Sequence, residues 1–151
     1  MKVYRISAVK YAGNLQPSGV GARWNKRGQN VIYASETRSL ACLENIVHMA
    51  VPDLKGLFKT LIIDFPDNLK TEEVTEDQLP KGWNQPDNYQ VCREIGSLWL
   101  TTGRTAILKV PSALIPQEYN FVLNTTHPDF KRIILEGTED FLFDPRIILR
   151  K

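Results

Sequence analysis

The stretch Gly19–His48 constrains the fold of this chain more than any other, because it joins a charged loop, a short strand and an amphipathic helix. Residues Asn30–Ser35 are rich in β-branched and aromatic side chains and follow an Arg-Gly turn signal, which indicates a strand. Ser35 or Thr37 can cap the helix that follows. Apolar residues then recur at helical spacing and predict one buried helix face, which consists of Leu40, Leu43, Ile46, Val47 and Ala50.

The rest of the sequence predicts strands around a second helix. Strands are expected at Lys2–Val9, Leu57–Phe65, Thr105–Val110, Tyr119–Asn124, Arg132–Gly137 and Pro145–Leu149. A capping box of Asp87 and Gln90 predicts the start of the second helix, which ends near Gly103. Its predicted buried face consists of Val91, Ile95, Leu98 and Trp99. Because helices and strands do not alternate regularly, we predict an α+β fold.

The segment Pro66–Pro86 separates these elements. It is polar, acidic and rich in helix-breaking residues, with one short helical turn expected near Thr75–Leu79. A surface excursion of this length is typical of a lid, a binding loop or a partner contact.

The composition indicates one globular domain over residues 1–151. The hydrophobic fraction of 42% and the charged fraction of 24% are ordinary for such a domain. A net charge of +2 is too small to predict binding to nucleic acid or to a membrane by electrostatic attraction alone. The first residues lack the apolar core of a signal peptide, so we expect a cytoplasmic protein.

The cysteines and histidines predict no metal cofactor. Cys42 and Cys92 fall in the two predicted helices among apolar neighbours, which favours core side chains over a disulfide. His48 and His127 are far apart in sequence, and no spacing typical of a zinc site is present.

Three side chains of the stretch Gly19–His48 suit a phosphorylated nucleotide. Arg23 offers a permanently charged donor fork that fits a pyrophosphate. Tyr33 offers an aromatic face for a planar ring. Glu44 lies at the margin of the apolar helix face, where a carboxylate in a cleft can stabilise positive charge on a ribose carbon. The ordinary alternatives are a surface arginine, a buried tyrosine, and a glutamate that is exposed or in a structural ion pair.

A second stretch, Lys109–Phe130, places polar residues at strand ends. Asn120 and Asn124 fall on one side of a predicted strand, where they line a cleft or form the solvated face. Ser112 has no GxSxG-type elbow and no nearby histidine in the sequence, so a nucleophilic role is only weakly supported.

Three segments resemble the RES domain family, which is named after its Arg, Glu and Ser motif residues. They are GARWNKRGQNVIYASETRSLACLE, VPSALIPQEYNFVLNTTHPDF and the closing FLFDPRIIL. The likeness extends over most of the chain and is vague between about Leu54 and Pro86. Arg23, Glu44 and Ser112 stand at the eponymous positions, and Tyr33 matches the motif tyrosine.

The resemblance implies a compact fold like that of ADP-ribosyltransferases, with two small β-sheets around a cleft and flanking helices. It implies that NAD is the substrate and that the nicotinamide–ribose bond is cleaved, with water or phosphate as acceptor. Transfer of ADP-ribose to a cellular protein is the alternative reaction. It also implies a toxin of a toxin–antitoxin pair, with an Xre-type helix-turn-helix antitoxin and a homodimeric state.

The same resemblance assigns roles to site residues. Glu44, Arg23 and Tyr33 are expected to be catalytic, with Glu44 on the ribose. Arg23 is expected to clamp the pyrophosphate, Tyr33 to pack on nicotinamide, and Ser112 to position ribose or phosphate by hydrogen bonding. Asn120, on the polar side of its predicted strand, is also expected to contribute to NAD binding. A non-catalytic domain that binds a nucleotide or a protein through this cleft is the alternative from another class.

Overall fold

The computed structural model describes residues 1–150, except for the side chains of residues 148 and 150. The strands are β1 (Lys2–Ala8), β2 (Val31–Ser35), β3 (Phe58–Asp64), β4 (Thr71–Glu73), β5 (Ile107–Pro111), β6 (Tyr119–Asn124) and β7 (Ile134–Phe141). The α-helices are α1 (Arg38–His48), α2 (Gln90–Thr102) and α3 (Pro145–Arg150). Short 3₁₀ turns occur at Val9–Tyr11, Val51–Lys55, Glu76–Gln78 and Pro128–Arg132.

All seven strands lie in one sheet, in the order β4-β5-β6-β2-β1-β3-β7. The fold is therefore α+β as predicted, but the two separate sheets that we expected are joined into one. The junction is narrow, because β1 and β2 share the single register pair Tyr4 and Ser35. By contrast, β1 pairs with β3 along its whole length, from Lys2 to Ala8. The residues of β2 before Ser35 have no register pair in β1, so the two halves of the sheet separate there.

The side chains of β2 alternate between two parts of the core, as the pleat of a strand requires. Val31 and Tyr33 pack in a cluster with Cys92 and Trp99 of α2. Ile32 and Ala34 belong to a second cluster on the opposite face of the strand. The strand thus carries Tyr33 and Ser35 on the face that the helices cover.

Helix α1 has the predicted start and part of the predicted face. Thr37 is the N-cap, and its hydroxyl oxygen accepts a hydrogen bond from the Leu40 amide at 3.0 Å. Leu40 and Ala41 are fully buried, whereas Val47 at the edge of the predicted face is half exposed. Since only one side of the helix is covered, Glu44 lies between core and solvent.

Helix α2 differs from the prediction at its start and in its buried face. It begins at Gln90 without a side-chain cap, so the predicted capping box with Asp87 is wrong. Gln90 instead donates to Glu94 one turn further on. Leu98, expected in the core, is 61% exposed, and Gly96 and Ser97 are buried in its place. Trp99 is buried as predicted, and Gly96 faces the backbone of Trp24.

Gly96 lets α2 approach the backbone of Trp24 closely. A Cβ atom at position 96 would lie 1.8 Å from the Trp24 carbonyl oxygen, far inside van der Waals contact. The obstacle is backbone, which cannot swing aside as a flexible side chain can. Helix α2 and the loop that carries Arg23 therefore pack closely, backbone against backbone, at this glycine.

We expect Gly96→Ala to lower the free energy of unfolding by about 1–3 kcal/mol, the usual cost of overpacking a core. On an unconstrained helix the same change would be stabilising, since alanine is the better helix former. Urea unfolding followed by far-ultraviolet circular dichroism measures the difference. Gly103→Ala is unsuited as a control because Gly103 has a positive φ of 57°, so Leu98→Ala at an exposed position of the same helix serves instead. An unchanged or raised stability for Gly96→Ala would contradict the close approach.

The segment 66–86 is more firmly packed than the predicted surface excursion. It contains β4, which pairs in parallel with β5, and a 3₁₀ turn at Glu76–Gln78 inside the region where a helical turn was expected. Val74, Leu79 and Trp83 are buried in the same cluster as Trp99. The burial of these three side chains was not predicted, because acidic residues surround them in the sequence.

The last predicted strand is wrong, because Pro145–Arg150 forms α3. Proline is favoured in the first turn of a helix, where its missing N–H leaves no hydrogen bond unmade. The Asp144 carboxylate accepts a hydrogen bond from the Arg146 amide at 2.8 Å, as an N-terminal helix cap does. None of the helices in the described part of the chain is both long and apolar enough to cross a membrane.

Candidate active site

Glu44 is at the centre of a hydrogen-bonded group that links α1 to the ends of β5 and β6. Its side chain is 21% exposed, so the carboxylate is shielded but reachable. Its Oε1 accepts hydrogen bonds from Asn120 Nδ2 at 2.6 Å and from Ser112 Oγ at 3.0 Å. Asn120 Oδ1 in turn accepts from Ser35 Oγ at 2.7 Å.

Sheet register explains why these polar groups meet. Asn120 of β6 is paired with Ser35 of β2 on one side and with Val110 of β5 on the other. Residues paired across neighbouring strands project to the same face, and so does a residue two positions further along a strand. Ser112, two positions after Val110, therefore lies on the face of Asn120 and Ser35.

The hydroxyl of Ser112 is held in one orientation. Ser112 is fully buried, and its Oγ accepts from the amides of Leu114 at 3.1 Å and Ile115 at 3.3 Å. Its proton is therefore directed to Glu44. A serine used in this way is a hydrogen-bond donor, which agrees with the weak support for a nucleophile.

The second oxygen of Glu44 faces His48, one turn further along α1. Glu44 Oε2 lies 3.2 Å from His48 Nε2, and the imidazole is 60% exposed. Burial by itself would raise the pKa of Glu44, but the hydrogen bonds from His48, Asn120 and Ser112 outweigh it and hold the pKa below its ordinary value of 4.5. The carboxylate is therefore ionised at neutral pH.

This lowered pKa predicts how stability depends on pH. A carboxylate with a folded-state pKa below its unfolded value stabilises the fold above the unfolded value, and this contribution is lost as the pH falls through the folded-state pKa. We expect the stability difference between the natural chain and Glu44→Gln to be largest near neutral pH and to shrink progressively below pH 4.5. Urea unfolding of both proteins from pH 7 to pH 3 measures it. A difference that grows on acidification would contradict the assigned hydrogen bonds.

Tyr33 lies beside this group on the same strand face, two residues before Ser35. Its hydroxyl donates to Asn25 Oδ1 at 2.7 Å and accepts from the Trp24 amide at 3.1 Å. Burial raises the pKa of Tyr33, so the phenol stays neutral. The ring thus ties β2 to the loop that carries Arg23.

Arg23 uses its guanidinium to hold the segment Trp83–Asn88. Nη1 donates to the carbonyl of Trp83 at 2.6 Å and to that of Asn88 at 3.3 Å. Nη2 donates to the carbonyls of Asn84 at 3.5 Å and Gln85 at 3.3 Å. The cation also lies 4.4 Å from the centre of the Tyr89 ring. The fork expected to clamp a pyrophosphate is occupied by backbone oxygens here.

The structure thus brings the predicted residues together in two connected parts. Glu44, Ser112 and Asn120 are in direct contact. Arg23 reaches this group indirectly, through the adjacent Trp24 and the hydroxyl of Tyr33.

Sequence reasoning missed two residues that order the site. Asn25 is fully buried and donates to the carbonyls of Val20 at 3.0 Å and Lys26 at 3.1 Å, while it accepts from Tyr33. Ser35 was considered only as a helix cap, yet it orients Asn120. The signal for Ser35 was its place as the polar last residue of β2, on the face of Tyr33, whereas no local signal marked Asn25.

A cavity of about 470 Å³ lies beside β2, apart from the Glu44 group. Its lining includes Arg5, Ser7, Tyr11, Ser18, Ile32 and Leu61. Arg5 Nη1 donates to the carbonyl of Tyr33 at 3.1 Å, so the cavity and the Glu44 group adjoin the same strand. Arg5 was not singled out in the sequence.

The described residues hold no cluster of three or more His, Cys, Asp or Glu side chains that could bind a metal ion.

Comparison with known proteins identifies relatives over nearly the whole chain. The family model described as RES domain matches residues 2–144. A protein named Prs ADP-ribosylating toxin, from Sphingobium sp. (strain YBL2), is 38% identical over 130 residues, which cover 85% of this chain and 81% of that protein. A protein named Toxin Res, from Photorhabdus laumondii, is 36% identical and covers 100% of this chain and 99% of its own length.

Among solved structures, the crystal structure of the M. tuberculosis MbcT–MbcA toxin–antitoxin complex contains a chain with a similar fold. The TM-score is 0.77, and the match covers 99% of this chain and 87% of the other. At 18% sequence identity, this likeness concerns the fold alone.

Proposed function

This chain belongs to the RES domain family of toxins, and on that premise we propose that it is an enzyme that cleaves the nicotinamide–ribose bond of NAD. The observation that carries the proposal is the ionised Glu44 carboxylate, with one oxygen fixed by Ser112 and Asn120. Fixed charges placed where charge develops in a transition state are the largest common source of catalysis.

In the proposed reaction, nicotinamide leaves with the electron pair of the glycosidic bond. Positive charge then develops on the ribose carbon, and the negative charge of Glu44 stabilises it. Since Oε1 is held by two donors, the carboxylate need not reorganise during the reaction. We propose that Ser112 and Asn120 contribute to NAD binding mainly by keeping Glu44 in this orientation.

We propose that Tyr33 provides the aromatic wall next to Glu44 and that Arg23 shapes the site. A pyrophosphate that binds Arg23 must replace its carbonyl partners in Trp83–Asn88. Arg23 therefore either exchanges these carbonyls for phosphate oxygens or positions the segment against the substrate.

We propose water or phosphate as the acceptor of ADP-ribose, which makes the chain a toxin that depletes NAD. A protein acceptor is the second candidate, favoured by the relative named Prs ADP-ribosylating toxin at 38% identity. The proposed partner is an antitoxin of the Xre helix-turn-helix type, supported by the likeness to a toxin crystallised with its antitoxin. We propose further that the protein is cytoplasmic, that it is a homodimer, and that its fold is like that of ADP-ribosyltransferases.

The test is incubation of the purified chain with NAD and mass spectrometry of the products, with and without added phosphate and cell extract. Release of nicotinamide supports the proposal, and the mass of the ADP-ribose product identifies the acceptor. An intact NAD pool under all conditions, from a chain shown to be folded, would refute catalysis and favour a domain that only binds a nucleotide or a protein.

A further inference from the structure

The cavity beside β2 arises from the narrow junction of the sheet. β1 and β2 are paired only at Tyr4 and Ser35, and beyond this pair Arg5 and Ser7 of β1 no longer pair with β2. The loop Asn14–Gly19 covers the opening. The volume of about 470 Å³ lies in the range of small-molecule sites.

Arg5 brings a positive charge into this cavity without a carboxylate partner. Among the described residues, its guanidinium makes one recorded hydrogen bond, to the Tyr33 carbonyl, and takes part in none of the ion pairs. Burial lowers the pKa of Arg5, which reflects the cost of an uncompensated charge, although arginine stays protonated in proteins. A shielded, unpaired cation is costly unless an anion joins it.

The unused donors of Arg5 are accessible from the cavity. No described side-chain nitrogen or oxygen is both fully buried and without a hydrogen-bond partner. The N–H groups of Arg5 that lack a partner are therefore not sealed in the core. Here Arg5 differs from Arg23, both of whose terminal nitrogens are engaged by carbonyls.

The rest of the cavity favours an anion attached to a partly apolar molecule. Its lining includes neither Asp nor Glu, and Ser7 and Ser18 add neutral hydroxyl donors. Ile32 and Leu61 form an apolar wall. Near the mouth, Lys10 Nζ lies 4.8 Å from the ring centre of Tyr11, which adds a second positive charge.

We infer that this cavity binds a phosphate group of a small molecule, with Arg5 as its principal cationic partner. Arginine's planar fork matches two phosphate oxygens at once. Two kinds of molecule contain such a phosphate group. The first is the phosphate portion of the dinucleotide, and in that case the inference rests on the proposed function. The second is free inorganic phosphate, which does not require it.

Ser7 provides a test that leaves Arg5 in place. Ser7 is two residues from Arg5 on the same strand face, so their Cα atoms are roughly 6.6 Å apart. In Ser7→Glu the new carboxylate can pair with Arg5 and compete with a bound phosphate. Ser7→Gln has nearly the same size without the charge and serves as the matched control. Circular dichroism and thermal unfolding verify that both variants fold.

Isothermal titration with ADP-ribose and, separately, with inorganic phosphate measures the binding. We expect Ser7→Glu to bind the phosphate source about ten- to a hundredfold more weakly than Ser7→Gln, as the loss of charge-assisted hydrogen bonds predicts. A charge-dependent loss for ADP-ribose identifies the nucleotide as the source, and a loss for phosphate alone identifies the free anion. Equal binding by Ser7→Glu and Ser7→Gln, or no binding by the natural chain, would overturn the inference.

Nicotinamide release from NAD, measured in the same three proteins, separates this inference from the proposed function. If every protein releases nicotinamide but binding does not depend on the charge at position 7, the cavity inference fails and the enzyme remains. If none releases nicotinamide but binding is charge-dependent, the proposed reaction fails and the phosphate site remains.

Discussion

Replacing Glu44 by glutamine is expected to slow nicotinamide release from NAD by about a hundred- to a thousandfold, the usual effect of removing one electrostatic stabiliser of a transition state. Glutamine keeps the size of the side chain and an oxygen that can accept from Asn120 and Ser112. It removes the negative charge that would face the ribose carbon. The rate constant under saturating NAD measures the effect, because the change acts on the reaction and not mainly on binding.

The matched control is Glu94→Gln on the exposed side of α2, where the carboxylate accepts only from Gln90 at 2.8 Å among the recorded contacts. It changes the net charge by the same amount and should leave the rate within about twofold, as surface charges have small local effects. A Glu44→Gln protein with natural turnover would remove the carboxylate from the mechanism. An equal loss in both variants would point to net charge instead.

Replacing Arg23 by alanine is the second large effect that we expect, with a loss of about a hundredfold in kcat/KM. The four carbonyls held by Arg23 lie in Trp83–Asn88, and their release lets the wall of the site shift. Displacement of a positioning group by about 1 Å can cost this much in rate. The free energy of unfolding should also fall by about 2 kcal/mol, since charge-assisted hydrogen bonds are lost.

Arg23→Lys separates the two roles proposed for this residue. Lysine keeps the charge for a phosphate but cannot hold several carbonyls with a fixed fork. If Arg23 acts through the segment, the lysine variant is nearly as slow as Arg23→Ala, and amide hydrogen exchange rises at Trp83 and Asn88. If Arg23 acts as a charge on the pyrophosphate, lysine restores much of the activity. Arg27→Ala, an exposed arginine in the same loop, is the control and should match the natural chain.

The sequence was most informative where one local pattern determines the structure. The β-rich residues before Thr37 and the apolar spacing after it were sufficient to predict β2 and α1, and thereby the placement of Glu44. They left Ser35 and Thr37 as alternative N-caps, of which Thr37 is the one observed. The contact of Glu44 with Asn120 and Ser112 depends on the register of three strands, which periodicity does not fix. Only the resemblance to a family brought these residues together before the structure.

Predictions failed where tertiary contacts decided the outcome. Leu98 looked like a core residue, but it is exposed, and the neighbouring Gly96 packs against the backbone of Trp24 instead. Pro145–Leu149 looked like a strand because it is apolar, whereas Pro145 and Asp144 favour a helix start. No residue near Arg23 indicated its carbonyl partners, which come from a segment 60 residues away in the chain. Such long-range contacts leave no local pattern.

The most direct measurement of the central claim is a crystal structure of Glu44→Gln with intact NAD, since the slow variant can hold the uncleaved dinucleotide. We predict that the ribose carbon bonded to nicotinamide lies against the side chain of residue 44, with Asn120 and Ser112 still donating to that side chain and Tyr33 next to the nicotinamide ring. NAD bound with its glycosidic bond far from residue 44 would contradict the account.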